Sequence, residues 1–248
     1  MLPYEAFAAC YDALMSDVDY EAWAAYIIGL IRENGAPDNT LLDAACGTGS
    51  LTVLLSKAGF AVTGADASPA MLGRAAEKAR MQGQPIGFIC QDLRELSLHK
   101  PVSVVNCSLD GVNYLTTTQD ANKFFACAAR ALKQGGLLLF DVSTPYKFEN
   151  VIGENTFADE TEGAAYIWFN AYEAETGICT MQLTLFIKEA DACYRRYEEE
   201  HVQRAHTLEE LEQGLQKSGL KTLGAYAFLR TDPAGKNDER WQIIARKV

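Results

Sequence analysis

Acidic side chains recur at regular stations along this sequence, and their surroundings give the first chemical signal. Asp43 precedes the turn Ala44-Ala45-Cys46-Gly47-Thr48-Gly49, directly behind an apolar run. A Gly-rich turn after a strand lets a ligand approach the backbone closely, because glycine has no Cβ and accepts left-handed φ. A dinucleotide fingerprint would need a third glycine three residues after the second. That position is Thr52, so the turn argues against NAD or FAD. Asp66 follows 23 residues after Asp43 (66 minus 43), where an acid accepts hydrogen bonds from a ribose diol. Asp92 closes "FICQD", and "VVNCSLDGVNYL" (104–115) supplies Asp110, Asn113 and Tyr114 as candidates to take a proton or orient a substrate. Further on, "YRRYEEEHVQR" offers Arg196, Glu199, His201 and Arg204. His201 is the best single titratable candidate there, since imidazole titrates near working pH; a solvated, salt-bridged strand is the structural alternative.

Elements at the right intervals would position these groups. Residues 19–34 place Trp23, Ile27, Leu30 and Ile31 on one helical face with Gly35 as stop, the second of two amphipathic helices expected to open the chain. From residue 40, short apolar runs alternate with helical periods: strand "TLLDAAC", helix "SLTVLLSKAG", strand "FAVTGAD", then a helix capped by Ser68 with Pro69 first. "IGFICQD", "VSVVNCS" and "LLLFDVS" read as further strands, with a helix over Gln119–Lys133 ended by Gly135 and Gly136. Near-continuous apolar strands alternating with helices predict a parallel sheet covered on both faces. Residues 146–206 break the pattern. Within them, residues 156–204 contain runs that alternate like antiparallel strands, with turns near Thr176-Gly177 and Ala190-Asp191. A capping box at Thr207 and Glu210, one helix and two strands complete the chain. The expected fold is α/β: a Rossmann-like, doubly wound, mostly parallel seven-stranded sheet in one domain, with a small antiparallel β cap inserted at 146–206 and covering the carboxyl end of the sheet. Alternation would put Arg195, Tyr197, Glu199 and His201 on one face of the last cap strand.

The ordered set Asp43/Gly47/Gly49, Asp66, Asp92 and 104–115 resembles the motifs of the class I S-adenosylmethionine-dependent methyltransferases. Ala45 departs from the family's first glycine, a change that a roomier turn would absorb. "FAACYDALMSDVDYEAW" (7–23) is similar to a segment of a bacterial small-molecule group in which a Tyr and a Trp close over the cofactor, here Tyr11 and Trp23. The alternative for Trp23 is plain core packing. The resemblance implies S-adenosylmethionine held by Tyr11, Trp23, Asp43, Ala45, Cys46, Gly47, Gly49, Asp66, Ala67, Met71, Gln91, Asp92, Leu93 and Cys107. Asp92 would hold the adenine amino group, and Met71 would either stack on adenine or serve the helix core. Asp110, Asn113, Tyr114 and His201 would serve the methyl acceptor. The implied activity is methyl transfer to nitrogen or oxygen of a small molecule, an in-line displacement that rests on positioning and desolvation. Two alternatives remain open at this point: a cofactor-binding regulatory protein on the same fold, and an RNA or protein methyltransferase.

Composition narrows the partners. Of 248 residues, 22 are basic and 33 acidic, a net charge of −11 that argues against a general grip on nucleic acid or anionic membranes. The seven cysteines are dispersed without a C-x-x-C pair, as expected of reduced cytoplasmic thiols. The first ten residues lack the basic and apolar regions of a signal peptide, and no run approaches membrane-span length. The three histidines lack helical i, i+4 pairing, and no metal is expected.

Overall fold

The computed structural model describes residues 7–189 and 193–248. The main sheet runs in the order β10-β11-β5-β4-β1-β2-β3. Its strands are β1 (Thr40–Ala44), β2 (Ala61–Asp66), β3 (Gly87–Cys90), β4 (Val102–Cys107), β5 (Leu132–Ser143), β10 (Leu220–Ala227) and β11 (Arg240–Lys247). Strands β1 to β5 pair in parallel; β11 runs antiparallel to both β5 and β10. The order reverses at β1, which pairs with β2 on one side and β4 on the other. Such a switch point opens a crevice at the strand ends.

Adjacent strand residues feed opposite layers. Leu41, Val104, Leu137 and Leu139 pack with α2 (Tyr20–Asn34) and α3 (Ser50–Lys57), while Leu42, Val105 and Leu138 pack with α5 (Thr118–Ala131) and α7 (Leu208–Lys217). Both faces are buried, which is why these strands read as continuous apolar runs. Capping fixes the helix starts. Asp19 accepts the Ala22 N–H, Ser68 caps α4 (Pro69–Met81), and Thr207 and Glu210 make the full capping box of α7. Among the described residues no helix is long and apolar enough to cross a membrane.

Between β5 and α7 lies a separate antiparallel sheet, β6 (Thr156–Glu160), β7 (Ala164–Glu173), β8 (Ile178–Lys188) and β9 (Tyr194–Arg204), in sequential order. Its inner face carries Met181, Leu183 and Leu185 of β8 opposite His201, Glu199 and Tyr197 of β9. Phe7, Cys10 and Leu14 pack onto this face, so the N-terminal segment lies against the cap sheet. Arg195 shares the face by alternation, but near the sheet's end it is exposed and pairs with Glu189. A single turn, α6 (Pro145–Lys147), leads from β5 toward the cap.

Several expectations need correction. The first N-terminal helix, α1 (Tyr11–Leu14), is one turn, because Met15 to Asp19 supply no continuing apolar period. Helix α5 stops at Ala131, before the glycines, since Leu132 already adopts extended φ/ψ and joins β5. Strand β6, an exposed edge strand with little apolar content, carries no sequence signal. The Ala190-Asp191 turn lies outside the described residues.

Candidate active site

A cleft of about 640 Å³ sits over the carboxyl ends of β1, β2, β3 and β4, within the 300–1,000 Å³ range usual for small-molecule sites. Tyr11, Asp43, Ala45, Cys46, Gly47, Asp66, Ala67, Met71, Gln91, Asp92, Leu93 and Tyr114 all line it, twelve of the residues singled out by sequence.

The glycine turn shows how the site is held. Ala45, Gly47 and Gly49 all take left-handed φ, at 55°, 54° and 75°. Ala45 therefore keeps the conformation a glycine would supply and bears roughly 1–2 kcal/mol of strain, rather than relaxing into a roomier turn. Gly49 is not a lining residue. It starts α3, and a Cβ there would stand 2.9 Å from Ala75 Cβ of α4, so its task is helix packing. Thr52, whose presence spoils a dinucleotide fingerprint, donates its hydroxyl to Asp43 at 2.6 Å, and Asn106 donates to the other oxygen at 2.8 Å. Burial outweighs both hydrogen bonds and pushes the Asp43 carboxyl up to about 6. Asp66 accepts the Gly47 N–H and the Ser68 N–H, each at 2.8 Å, and ties the turn to β2. Burial raises its pKa as well. Asp92 is gripped by the Arg94 guanidinium through Nε and Nη2, at 2.8 and 2.7 Å, which keeps it below the usual carboxylate range. Met71 is buried and still faces the cleft, so core packing and ligand contact are compatible.

Six expected site residues do not line the cleft. Trp23 lies one helical turn beyond Tyr20, stacks edge-on against Phe228 at 4.4 Å, and covers the Arg240 guanidinium at 5.2 Å. Tyr20, at the helix start, reaches the cleft instead. Cys107 is fully buried behind Gly111, whose added Cβ would meet its sulfur at 2.7 Å. Asp110 is engaged by Arg240 at 2.6 Å and by the Ser143 hydroxyl at 2.8 Å; burial pushes its carboxyl up, but the charges of Arg240 and Lys147 and these hydrogen bonds together hold its pKa down. Asn113 is a staple: its amide accepts the Ser143 N–H and donates to the carbonyls of Ser143 and Arg204, joining β5 to the cap. These pairings commit the Asp110 carboxylate to Arg240 and Ser143 side chains and the Asn113 amide to backbone. His201 stands one hydrogen bond behind the wall, its Nδ1 3.2 Å from the Tyr114 hydroxyl and its Nε2 3.2 Å from Glu199 Oε2. Glu199 Oε1 also accepts the Phe7 N–H.

Residues that sequence reasoning missed include Tyr20, Arg94, Leu109 and Leu115 on the wall and Arg240 behind it. Asp12, next to Tyr11, accepts the Thr48 hydroxyl at 2.6 Å and pairs with Lys78 at 2.8 Å, which fastens the N-terminal turn over the glycine loop. Tyr11, Tyr20 and Tyr114 all line the cleft beside this strap. Burial raises the Tyr11 hydroxyl well above its ordinary value and pushes Tyr20 up to about 12, so both phenols are protonated donors at neutral pH.

A family described as a methyltransferase domain matches residues 41–136. The chain is 32% identical to a crystal structure of an S-adenosylmethionine-dependent methyltransferase from Clostridium acetobutylicum, over 98% of both chains with a TM-score of 0.88. It is 35% identical to "Putative methyltransferase YqeM" of Bacillus subtilis (strain 168) over 95% of this chain and 94% of that one. A Streptomyces venezuelae dTDP-3-amino-3,4,6-trideoxy-alpha-D-glucopyranose N,N-dimethyltransferase is 31% identical over 57% of this chain and 54% of that one. Agreement along the whole length, on a switch-point cleft walled by the glycine turn and three strand-end acids, makes the chain a member of the class I S-adenosylmethionine-dependent methyltransferases.

Proposed function

We propose that this enzyme methylates nitrogen or oxygen of a small molecule in the cytoplasm, with an amine the better-supported acceptor. The observation that carries it is Tyr114, a residue of the cleft wall whose hydroxyl is hydrogen-bonded to the His201 imidazole behind that wall. The negative Glu199 carboxylate, 3.2 Å from His201 Nε2, favours a proton on that nitrogen and leaves Nδ1 to accept the Tyr114 hydroxyl. An amine arrives protonated at neutral pH and must lose a proton before it attacks, and a hydroxyl must lose one as it attacks, so either acceptor calls for a base at this wall. Tyr114 Oη takes the acceptor's proton as its own moves to His201 Nδ1, the same division of labour as in a nucleophile–base–orienter triad. The amino-sugar relative adds support for nitrogen.

The residues present fit the cofactor. Asp66 keeps lone pairs beyond its two backbone contacts for a ribose diol, and left-handed Gly47 exposes the turn's backbone to the cleft. Asp43 lines the cleft at the end of β1 and Asp92 just beyond the end of β3, Met71 and Leu93 supply apolar walls, and Tyr11 and Tyr20 supply aromatic faces suited to a cation. Bound S-adenosylmethionine supplies a methyl group on a sulfonium, an already activated leaving group. The chain's share is therefore to orient the acceptor, exclude water and remove one proton.

Incubation with methyl-labelled S-adenosylmethionine tests the reading, using glycine, sarcosine and glucosamine as amine probes, tyramine as a phenol-bearing one, and bulk tRNA and peptide as macromolecular ones. Label on a small probe is expected. Label on tRNA or peptide alone, with strong salt dependence for tRNA, would overturn it.

Cofactor affinity should also depend on pH. Below about 6 the free enzyme carries a proton on Asp43, and a cationic ligand must displace it. Affinity is therefore full above pH 7 and falls as pH drops through 6, by about tenfold at pH 5. Calorimetric dissociation constants from pH 5 to 8 measure this, and Asp43→Asn should flatten the profile.

A further inference from the structure

The loop carrying Tyr114 is strained, and the strain has an identifiable holder. Leu109 and Asp110 are consecutive non-glycine residues in the left-handed region, with φ of 59° and 63°. Each conformation is disfavoured for a residue that carries a Cβ and persists only where surroundings enforce it. The enforcing group is Asp141 at the end of β5, fully buried, which accepts the Leu109 N–H at 2.8 Å and the Asp110 N–H at 3.2 Å. Asp141 is in turn held by Arg240, the first residue of β11, whose guanidinium also takes Asp110 through Nη1 and Nη2 at 2.6 and 2.9 Å. Trp23 and Phe228 close over that guanidinium at 5.2 and 5.5 Å. One fork thus bridges two carboxylates, one gripping the strained backbone and the other belonging to it. Ser108, Leu109, Gly111, Tyr114 and Leu115, all on this turn, form one wall of the cleft.

We propose that Arg240 is a positioning residue for methyl transfer: through Asp141 and Asp110 it locks the left-handed Leu109-Asp110 pair and so sets where Leu109 and Tyr114 meet the acceptor. Arg240 touches neither cofactor nor acceptor. The guanidinium is required for its planar fork, because lysine, a point charge, cannot bridge both carboxylates in that geometry. The role of Tyr114 rests on the proposed function above; the locking of the turn does not.

Hydrogen exchange in the presence of S-adenosylhomocysteine tests the lock without any acceptor. In Arg240→Lys, which keeps the charge and is the variant expected to fold, amide protection in residues 108–115 should fall at least tenfold. Protection around β1 to β3 and the dissociation constant of S-adenosylhomocysteine should hold within about threefold. Adding Asp110→Gly, or using Arg240→Gln with Asp110→Gly should lysine fail to fold, puts a residue without steric penalty at the left-handed position. It also removes one of the two carboxylates left without a fork. Local protection should return to within threefold of the parent. On any probe amine that turns over, kcat in Arg240→Lys should drop about 100-fold with little change in KM, the scale of an ångström-sized misplacement, and glycine at 110 should restore at least tenfold of it. Unchanged protection in 108–115, or loss spread over the whole chain with no glycine rescue, overturns the proposal. Were Tyr114→Phe silent while Arg240→Lys still released the turn, the reading of Tyr114 would fail and the lock would stand.

Discussion

Tyr114→Phe is expected to lower kcat by about 10²- to 10⁴-fold on an amine acceptor, the range for loss of a positioned general base. Cofactor affinity should change less than twofold. The ring stays, so the wall of the cleft and the edge contact with His201 are kept; only the hydroxyl between the acceptor and His201 Nδ1 is removed. His201→Ala should reduce turnover in the same direction, again with cofactor affinity nearly unchanged, because the imidazole acts through Tyr114 and does not line the cleft. The double variant should be little worse than either single one, since groups that pass one proton act as a unit. Steady-state kinetics beside calorimetry measure all three. Full additivity of the two losses would show that Tyr114 and His201 serve separate ends, and unchanged turnover in both would return the pair to a structural tie between cap and sheet.

What the sequence shows of this site, and what it hides, follows from which interactions are local. Asp43, Gly47 and Asp66 sit at strand ends and turns, so a one-dimensional pattern marks them, and the cleft contains all three. The seven-stranded sheet was legible for the same reason: strands buried on both faces leave continuous apolar runs. Trp23 and Tyr20 show the limit. Both are N-terminal aromatics three residues apart, and only the docking angle of α2 decides that Tyr20 reaches the cleft while Trp23 covers Arg240. Asp110 is a sharper case. Its neighbours in sequence resemble an acceptor-side motif, but its carboxylate is claimed by an arginine 130 residues later, on the antiparallel strand that inserts beside β5. Nothing local announces that pairing. The cap's alternation put Glu199 and His201 on one face correctly, since period two needs no tertiary information. That this face meets Tyr114 and the N-terminal strap, rather than the cleft itself, depends on how two sheets dock.

Asp66→Ala is expected to weaken binding of both S-adenosylmethionine and S-adenosylhomocysteine by about 1.5–3 kcal/mol, a loss of roughly 10- to 150-fold, the value of hydrogen bonds to a charged group. The structure adds a second contribution, because the same carboxylate holds the Gly47 and Ser68 amides at 2.8 Å and so fixes the glycine turn. Asp66→Asn separates the two. Its carbonyl oxygen can still accept one backbone N–H, whereas its amide nitrogen donates and would face a second N–H or one edge of a diol. If the loss in alanine comes mainly from direct ligand contacts, asparagine should bind almost as poorly as alanine while protection of the Gly47 amide in the free protein is partly kept. If the loss comes from the turn, asparagine should recover affinity in step with that protection. Charge on the ligand supplies a further discriminator: the sulfonium compound and its neutral-sulfur product share the ribose, so a diol contact predicts equal losses for both. A loss confined to S-adenosylmethionine would instead assign Asp66 to the field around the sulfonium and leave the diol to another group on the wall, with Asp92, freed from Arg94, a candidate carboxylate beyond the end of the neighbouring β3.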